Sequence, residues 1–134
     1  MLGRITSEYI KELKTDQVFV FGSNKIGKHG KGAAKIALKF GAKPGVGVGL
    51  MGNSYGIPTK GSSMYKSLDI GEIKRYVDVF ILFARDNPGK TFLVTQIGCG
   101  LAGFTPKQIG PLFIGCEELS NVHLPLSFWK KLKY

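Results

Sequence analysis

The stretch "TFLVTQIGCGLAGFTPKQ", Thr91 to Gln108, decides how this chain is read. Its first seven residues are mostly apolar and β-branched or aromatic, the pattern of a buried strand. Gly98, Gly100 and Gly103 then spell G-x-G-x-x-G. Thr105 and Gln108 are spaced as a capping box, with Pro106 at the first helical position, so a helix is expected from there to about Leu119. A strand, a glycine loop and a helix start let the backbone approach an anion closely. A dinucleotide-binding turn has the same order, but it opens its domain and is followed by several more strand–helix units. Here only one helix and one short strand remain, and Glu117 and Glu118, near the usual acidic position, fall inside the expected helix. The loop therefore reads as a phosphate cradle in another α/β arrangement.

Outward from that loop the same alternation continues. "QVFVFG", Gln17 to Gly22, is a short buried strand. Lys31 to Lys43 reads as a helix, with Lys31, Lys35 and Lys39 on one solvated stripe, Ala33, Ile36, Ala37 and Phe40 opposite, and Gly41 placed to end it. Strand-like pieces follow around Val46–Leu50 and Tyr55–Pro58. Asp69 and Glu72 resemble a capping box, and Ile73, Val77, Phe80, Ile81 and Ala84 carry helical periodicity up to the stop at Asn87–Gly89. A last strand is expected in "NVHLPLSF", on an edge because of Pro125. A short helix is expected in "SEYIKELK" near the start, and "WKKLKY" reads as a solvated end. Strands alternating with helices mean α/β, and 134 residues make one domain, 1–134, with no linker or repeat.

Two other glycine motifs fit less well. "GSNKIGK", Gly22 to Lys28, matches the start of a P-loop, but His29 stands where a magnesium-holding Ser or Thr belongs. "GVGLMG", Gly47 to Gly52, leads into no helix. The cysteines, Cys99 and Cys116, show no metal-binding spacing, so no metal or cofactor is expected and the setting reads as reducing and cytoplasmic. No apolar run approaches the ~20 residues of a membrane span, and the N-terminus does not read as a signal peptide. The net charge is +10, and no Asp or Glu occurs from Gln17 to Leu68. Such a one-sided field attracts phosphates or nucleic acid. The basic residues are nearly all Lys, and groove-reading proteins rely on Arg, which disfavours specific nucleic-acid recognition.

In order, "VFVFGSNKIGKHGKGAAKIA", "GVGLMGNSYGIPTKG" and "TQIGCGLAGFTPKQIGPLF" resemble the macro-domain-like proteins over nearly the whole chain, Val18 to Phe128. The resemblance implies a three-layer α/β/α sandwich around a mixed sheet. It implies that ADP-ribose or a related nucleotide diphosphate binds through Gly22, Ser23, Asn24, Gly30, Gly32 and Ala33 on one side and Gly98, Cys99, Gly100, Leu101, Ala102, Gly103 and Phe104 on the other. Asn24 matches the distal-ribose Asn of that family. "GRIT", Gly3 to Thr6, is similar to the family's "GDIT", but Arg4 replaces the Asp that accepts the adenine amino group, and Arg has no acceptor.

Each candidate side chain has a plainer alternative. Asn24 fits a ribose contact or a turn cap. His29 fits proton transfer or a loop contact. Lys60 fits a transient adduct with a ribose aldehyde or a solvated surface. Cys99 fits a nucleophile or a small residue under the loop. Tyr55 and Phe104 fit stacking on a ligand or core packing. Three functions stand open: an ADP-ribosyl hydrolase in which Asn24, His29 or Lys60 takes part, a non-catalytic module that reads or sequesters a signalling nucleotide or reads an ADP-ribosylated macromolecule, and a basic nucleic-acid binder. The scarcity of acids around the expected site favours the reader, or an enzyme that relies on oriented water.

Overall fold

A computed structural model describes residues 3–63 and 66–132. Five strands form one mixed sheet in the order β2-β3-β1-β4-β5. They are β1 Gln17–Asn24, β2 Gly49–Met51, β3 Ser54–Lys60, β4 Thr91–Val94 and β5 Val122–His123. β1 is central and pairs parallel with β3 and β4, β4 pairs parallel with β5, and only β2 is antiparallel. The helices are α1 Gly32–Ala37, α2 Ile70–Arg85, α3 Pro106–Ile109 and α4 Leu126–Lys130.

Direction of travel decides which face each helix covers. Parallel crossovers are right-handed, so opposite directions across a sheet put their helices on opposite faces. The chain leaves β1 through α1 towards β3, then crosses back over β1 through α2 to β4 and onward to β5. Accordingly Phe19 and Phe21 of β1 pack with Ala34 and Ala37 of α1, while Val18 and Val20 pack with Ile73, Val77 and Phe80 of α2. Burial on both faces is why the strand reads as a continuous apolar run. The result is a three-layer α/β/α arrangement with one thick layer (α2, α3, α4) and one thin layer (α1). Among the described residues, no helix is long and apolar enough to cross a membrane.

Several expected elements come out differently. The "SEYIKELK" segment is irregular, not helical. It is too short for a stable isolated helix. The chain just before it is tied to the sheet edge, where Ile5 bridges Leu124 and Thr6 N–H donates to the Leu124 carbonyl at 2.9 Å. Ile10 and Leu13 then pack on the thin-layer core. The helix expected over Lys31–Lys43 is α1 followed by a 3₁₀ turn, Leu38–Phe40. Its buried positions are Ala34 and Ala37, whereas Ile36 is exposed. Gly41 does end it, with φ 103°, and the bonds Ala42 N–H to Ala37 O and Gly41 N–H to Leu38 O form a Schellman closure.

The helix expected to reach Leu119 is α for one turn only and continues as a 3₁₀ segment, Gly110–Cys116. Pro111 has no N–H to give the Lys107 carbonyl, so the α pattern cannot continue. The last strand shrinks to two residues, and Pro125 starts α4 instead. "WKKLKY" is not a solvated end as far as Leu132, because Trp129 and Leu132 are buried; Lys133 and Tyr134 lie outside the described residues.

Arg4 explains much of that closure. Its guanidinium donates to the carbonyls of Cys116 (2.7 Å), Glu117 (3.1 Å) and Val122 (3.0 Å). It also lies over the Trp129 ring, 5.0 Å from the centroid. A cation thus caps the carbonyl end of the 3₁₀ segment, where a helix carries partial negative charge. Arg4→Met is expected to lower unfolding stability by about 2–3 kcal/mol, the cost of losing charge-assisted bonds to partly buried carbonyls. Urea denaturation checks this, and an unchanged midpoint would refute it.

Candidate functional site

The sheet order places a crevice at the carboxyl ends of β1 and β4. Beyond β1 the chain turns towards β3, and beyond β4 it turns towards β5. Neighbouring loops that part in this way leave an opening, where α/β sheets bind ligands. The loop after β1 leads to α1, and the loop after β4 is the Gly98–Phe104 stretch. They adjoin. A Cβ built on Gly22 would lie 3.4 Å from the Gly98 nitrogen, and one built on Gly32 would lie 3.9 Å from Leu101 Cδ1. Ser67 Oγ, before α2, donates to the Ala102 carbonyl at 2.6 Å and tethers the second loop from the other side.

Both loops leave backbone donors free. Within the second, Phe104 N–H bonds to Gly98 O at 2.8 Å and Gly103 N–H to Gly100 O at 3.0 Å. Among the described residues, the N–H groups of Gly98, Gly100, Leu101 and Ala102 have no acceptor, and neither do those of Gly30, Gly32 and Ala33. Gly32 (φ 60°), Gly98 (φ 78°) and Gly103 (φ 83°) adopt the left-handed backbone that folds the chain back and turns successive amides to one side. Among the described residues, a Cβ at Gly100 or Gly30 meets nothing within 4 Å.

The candidate side chains are mostly engaged in holding these loops. Asn24 is buried; its Nδ2 donates to the Lys28 carbonyl at 2.7 Å and its Oδ1 accepts from Lys28 N–H at 2.9 Å. This is the turn-organising alternative, and it leaves one amide hydrogen for a ligand. His29 is 5% exposed, packs edge-on against Phe21, and bonds through Nε2 to the Lys43 and Val46 carbonyls, both at 2.9 Å. With two carbonyls facing it, Nε2 carries the proton, and the ring clasps the loop to the following segment. Ser23 Oγ donates to the Gly47 carbonyl. Lys60, partly exposed at the end of β3, accepts Lys25 N–H on its carbonyl at 3.1 Å.

Burial holds the Cys99 thiol above its ordinary range and pushes Cys116 up to about 12, so neither offers a thiolate near neutral pH. Tyr55 lies in the core against Phe80 and Phe83, not at the crevice. Phe104 tucks under its own loop, 3.6 Å from where a Gly98 Cβ would be. The crevice thus has a cradle of amides but few side chains free for proton transfer.

One acid stands closer than the sequence suggests. Glu72, in the first turn of α2, forms an ion pair with Lys25, the residue after Asn24. A hydrogen bond to Glu72, and then its charge, hold the Lys25 ammonium above its ordinary range. Sequence distance hid this pair, because only the crossover through α2 brings residue 72 back beside β1. A separate open cavity of about 270 Å³ lies under the N-terminal segment and shares no lining residue with the crevice. It is lined by Thr6, Gln17, Leu93 and His123 among others.

Burial, and then the nearby Arg4 charge, lower the pKa of His123. The unfolded chain therefore takes up a proton near pH 6.5 that the folded chain refuses, and stability falls as pH drops below that point. Urea midpoints at pH 7.5 and 5.5 are expected to differ, with a smaller difference in His123→Asn; equal differences in both proteins would refute this.

Comparison with known proteins finds no counterpart: no family model matches the chain, and no curated protein or solved structure matches it.

Proposed function

We propose that the chain binds ADP-ribose or a related nucleotide diphosphate, with the diphosphate lying between the Gly30–Ala33 turn and the Gly98–Phe104 loop. The observation that carries this reading is the pair of adjoining loops, each with unpartnered backbone amides, at the point where the strand connections diverge. The acid-free run of lysines adds a field that favours an anion. The Arg4 guanidinium is engaged by the carbonyls of Cys116, Glu117 and Val122 and has no acceptor for an adenine amine, so the loops select the diphosphate more than the base.

The reader function fits these side chains better than hydrolysis. Asn24 and His29 hold the loop, Cys99 stays protonated, and Glu72 is paired. A hydrolase on this scaffold would rely on water oriented by the backbone and the ligand phosphate.

The test is thermal unfolding with ADP-ribose, ADP, pyrophosphate and labelled single- and double-stranded DNA, at low and physiological salt. A ligand that binds the folded state raises its melting temperature. ADP-ribose is expected to raise it, less so as salt screens the lysines. Submicromolar DNA binding at physiological salt without nucleotide binding would replace this reading with the nucleic-acid one. Release of ADP-ribose from modified protein separates reader from hydrolase.

A further inference from the structure

Glu72 was expected to complete a capping box with Asp69. Half of that box is present: the Asp69 carboxylate accepts Glu72 N–H at 2.9 Å. The reciprocal half is not, because the Glu72 carboxylate is turned to Lys25. The Asp69 N–H that it would cap has no acceptor among the described residues. Glu72 therefore has two places to go, Lys25 or the start of its own helix.

Lys25 also has two. Its N–H bonds to the Lys60 carbonyl, Lys60 bridges Ser67, and the Ser67 hydroxyl touches Ala102 of the glycine loop. Lys25 also directly follows Asn24 at the carboxyl end of β1, the strand whose Gly22 lies against the Gly98 nitrogen, so its side chain starts at the rim of the crevice.

We propose that Glu72 is a built-in competitor for the ligand: the phosphate takes Lys25 from Glu72, and the released carboxylate closes the capping box on Asp69. This rests on the diphosphate reading given above and adds its regulation. Anion binding is then coupled to the first turn of α2, and the resting ion pair keeps affinity for stray anions low. Glu72→Gln retains the capping chemistry and removes the competing charge.

The experiment is calorimetric titration of pyrophosphate and ADP-ribose into five proteins: wild type, Glu72→Gln, Lys25→Met, the double variant, and Asp78→Asn. Asp78 pairs with Lys74 on the exposed side of α2, so its variant makes the same change in net charge elsewhere. Glu72→Gln is expected to tighten binding about three- to fivefold, the range open to a partly exposed pair, and Asp78→Asn by less than about 1.5-fold. Lys25→Met is expected to weaken binding, and in its background Glu72→Gln has no effect. Equal tightening by Glu72→Gln and Asp78→Asn would overturn the inference. So would a Glu72→Gln effect that survives without Lys25. Binding that Glu72→Gln leaves unchanged defeats this inference alone, whereas no binding by any of the five removes the diphosphate reading as well.

Discussion

Gly100→Val is expected to abolish measurable diphosphate binding while leaving the fold intact. Among the described residues a Cβ at this position meets nothing within 4 Å, and the backbone there needs no positive φ, so a side chain adds no clash with them. A branched side chain instead crowds the approach to a loop whose Gly100, Leu101 and Ala102 amides have no acceptor among the described residues. Losing two charge-assisted amide contacts at about 1.5–3 kcal/mol each weakens binding by about a hundredfold or more. The measurement pairs an affinity titration with a melting curve. A folded Gly100→Val protein that binds ADP-ribose as well as wild type would remove the loop from the site.

Gly47→Ala is expected to do the opposite, damaging the fold first. The new Cβ would lie 1.9 Å from the Asn24 carbonyl oxygen and 3.2 Å from the Lys25 carbonyl carbon. Both contacts are backbone, so no flexible side chain can yield. Gly56 is also closely packed, with its Cβ position 2.5 Å from the Gly47 oxygen, and Ser23 donates to that same oxygen. Relief requires moving the end of β1, so the cost is about 3 kcal/mol or more, at the high end for overpacking. Gly30→Ala is the control, since its Cβ meets nothing within 4 Å among the described residues. Denaturant midpoints compare the two, and a Gly47→Ala protein as stable as Gly30→Ala would contradict the packing.

This second result also explains a motif that misleads when read alone. "GVGLMG" looks like a nucleotide loop, but Gly47 is glycine because the segment lies against the end of β1. Neighbouring Gly27, with φ 73°, would place a Cβ 2.2 Å from the Val46 nitrogen. Close approach between two backbones demands the same residue as close approach to a phosphate. Only the structure tells which of the two a given glycine serves.

By itself the sequence determined the α/β class, the buried strand β1, the long helix α2 and the strand–loop–helix unit around Gly98. These rest on local signals: apolar runs buried on both faces, a 3.6-residue period, and capping residues whose bonds lie within one turn. Asp69 and Gln108 cap as their spacing implies, and Gly41 ends its helix for the same local reason. Tertiary structure decided what depends on residues far apart in the chain. The N-terminal segment gave up its helical pattern, because the edge bonds of Ile5 and Thr6 to Leu124, the Arg4 cap and the packing of Ile10 and Leu13 outweigh a marginal short helix. The polar-looking end became a short helix with one buried face, because Trp129 is covered by Arg4, 125 residues away. The crevice arose because the chain reverses direction across the sheet, which no local pattern encodes. The same reversal carried Glu72 back beside Lys25, so the acid nearest the end of β1 is one that neighbours in sequence do not reveal.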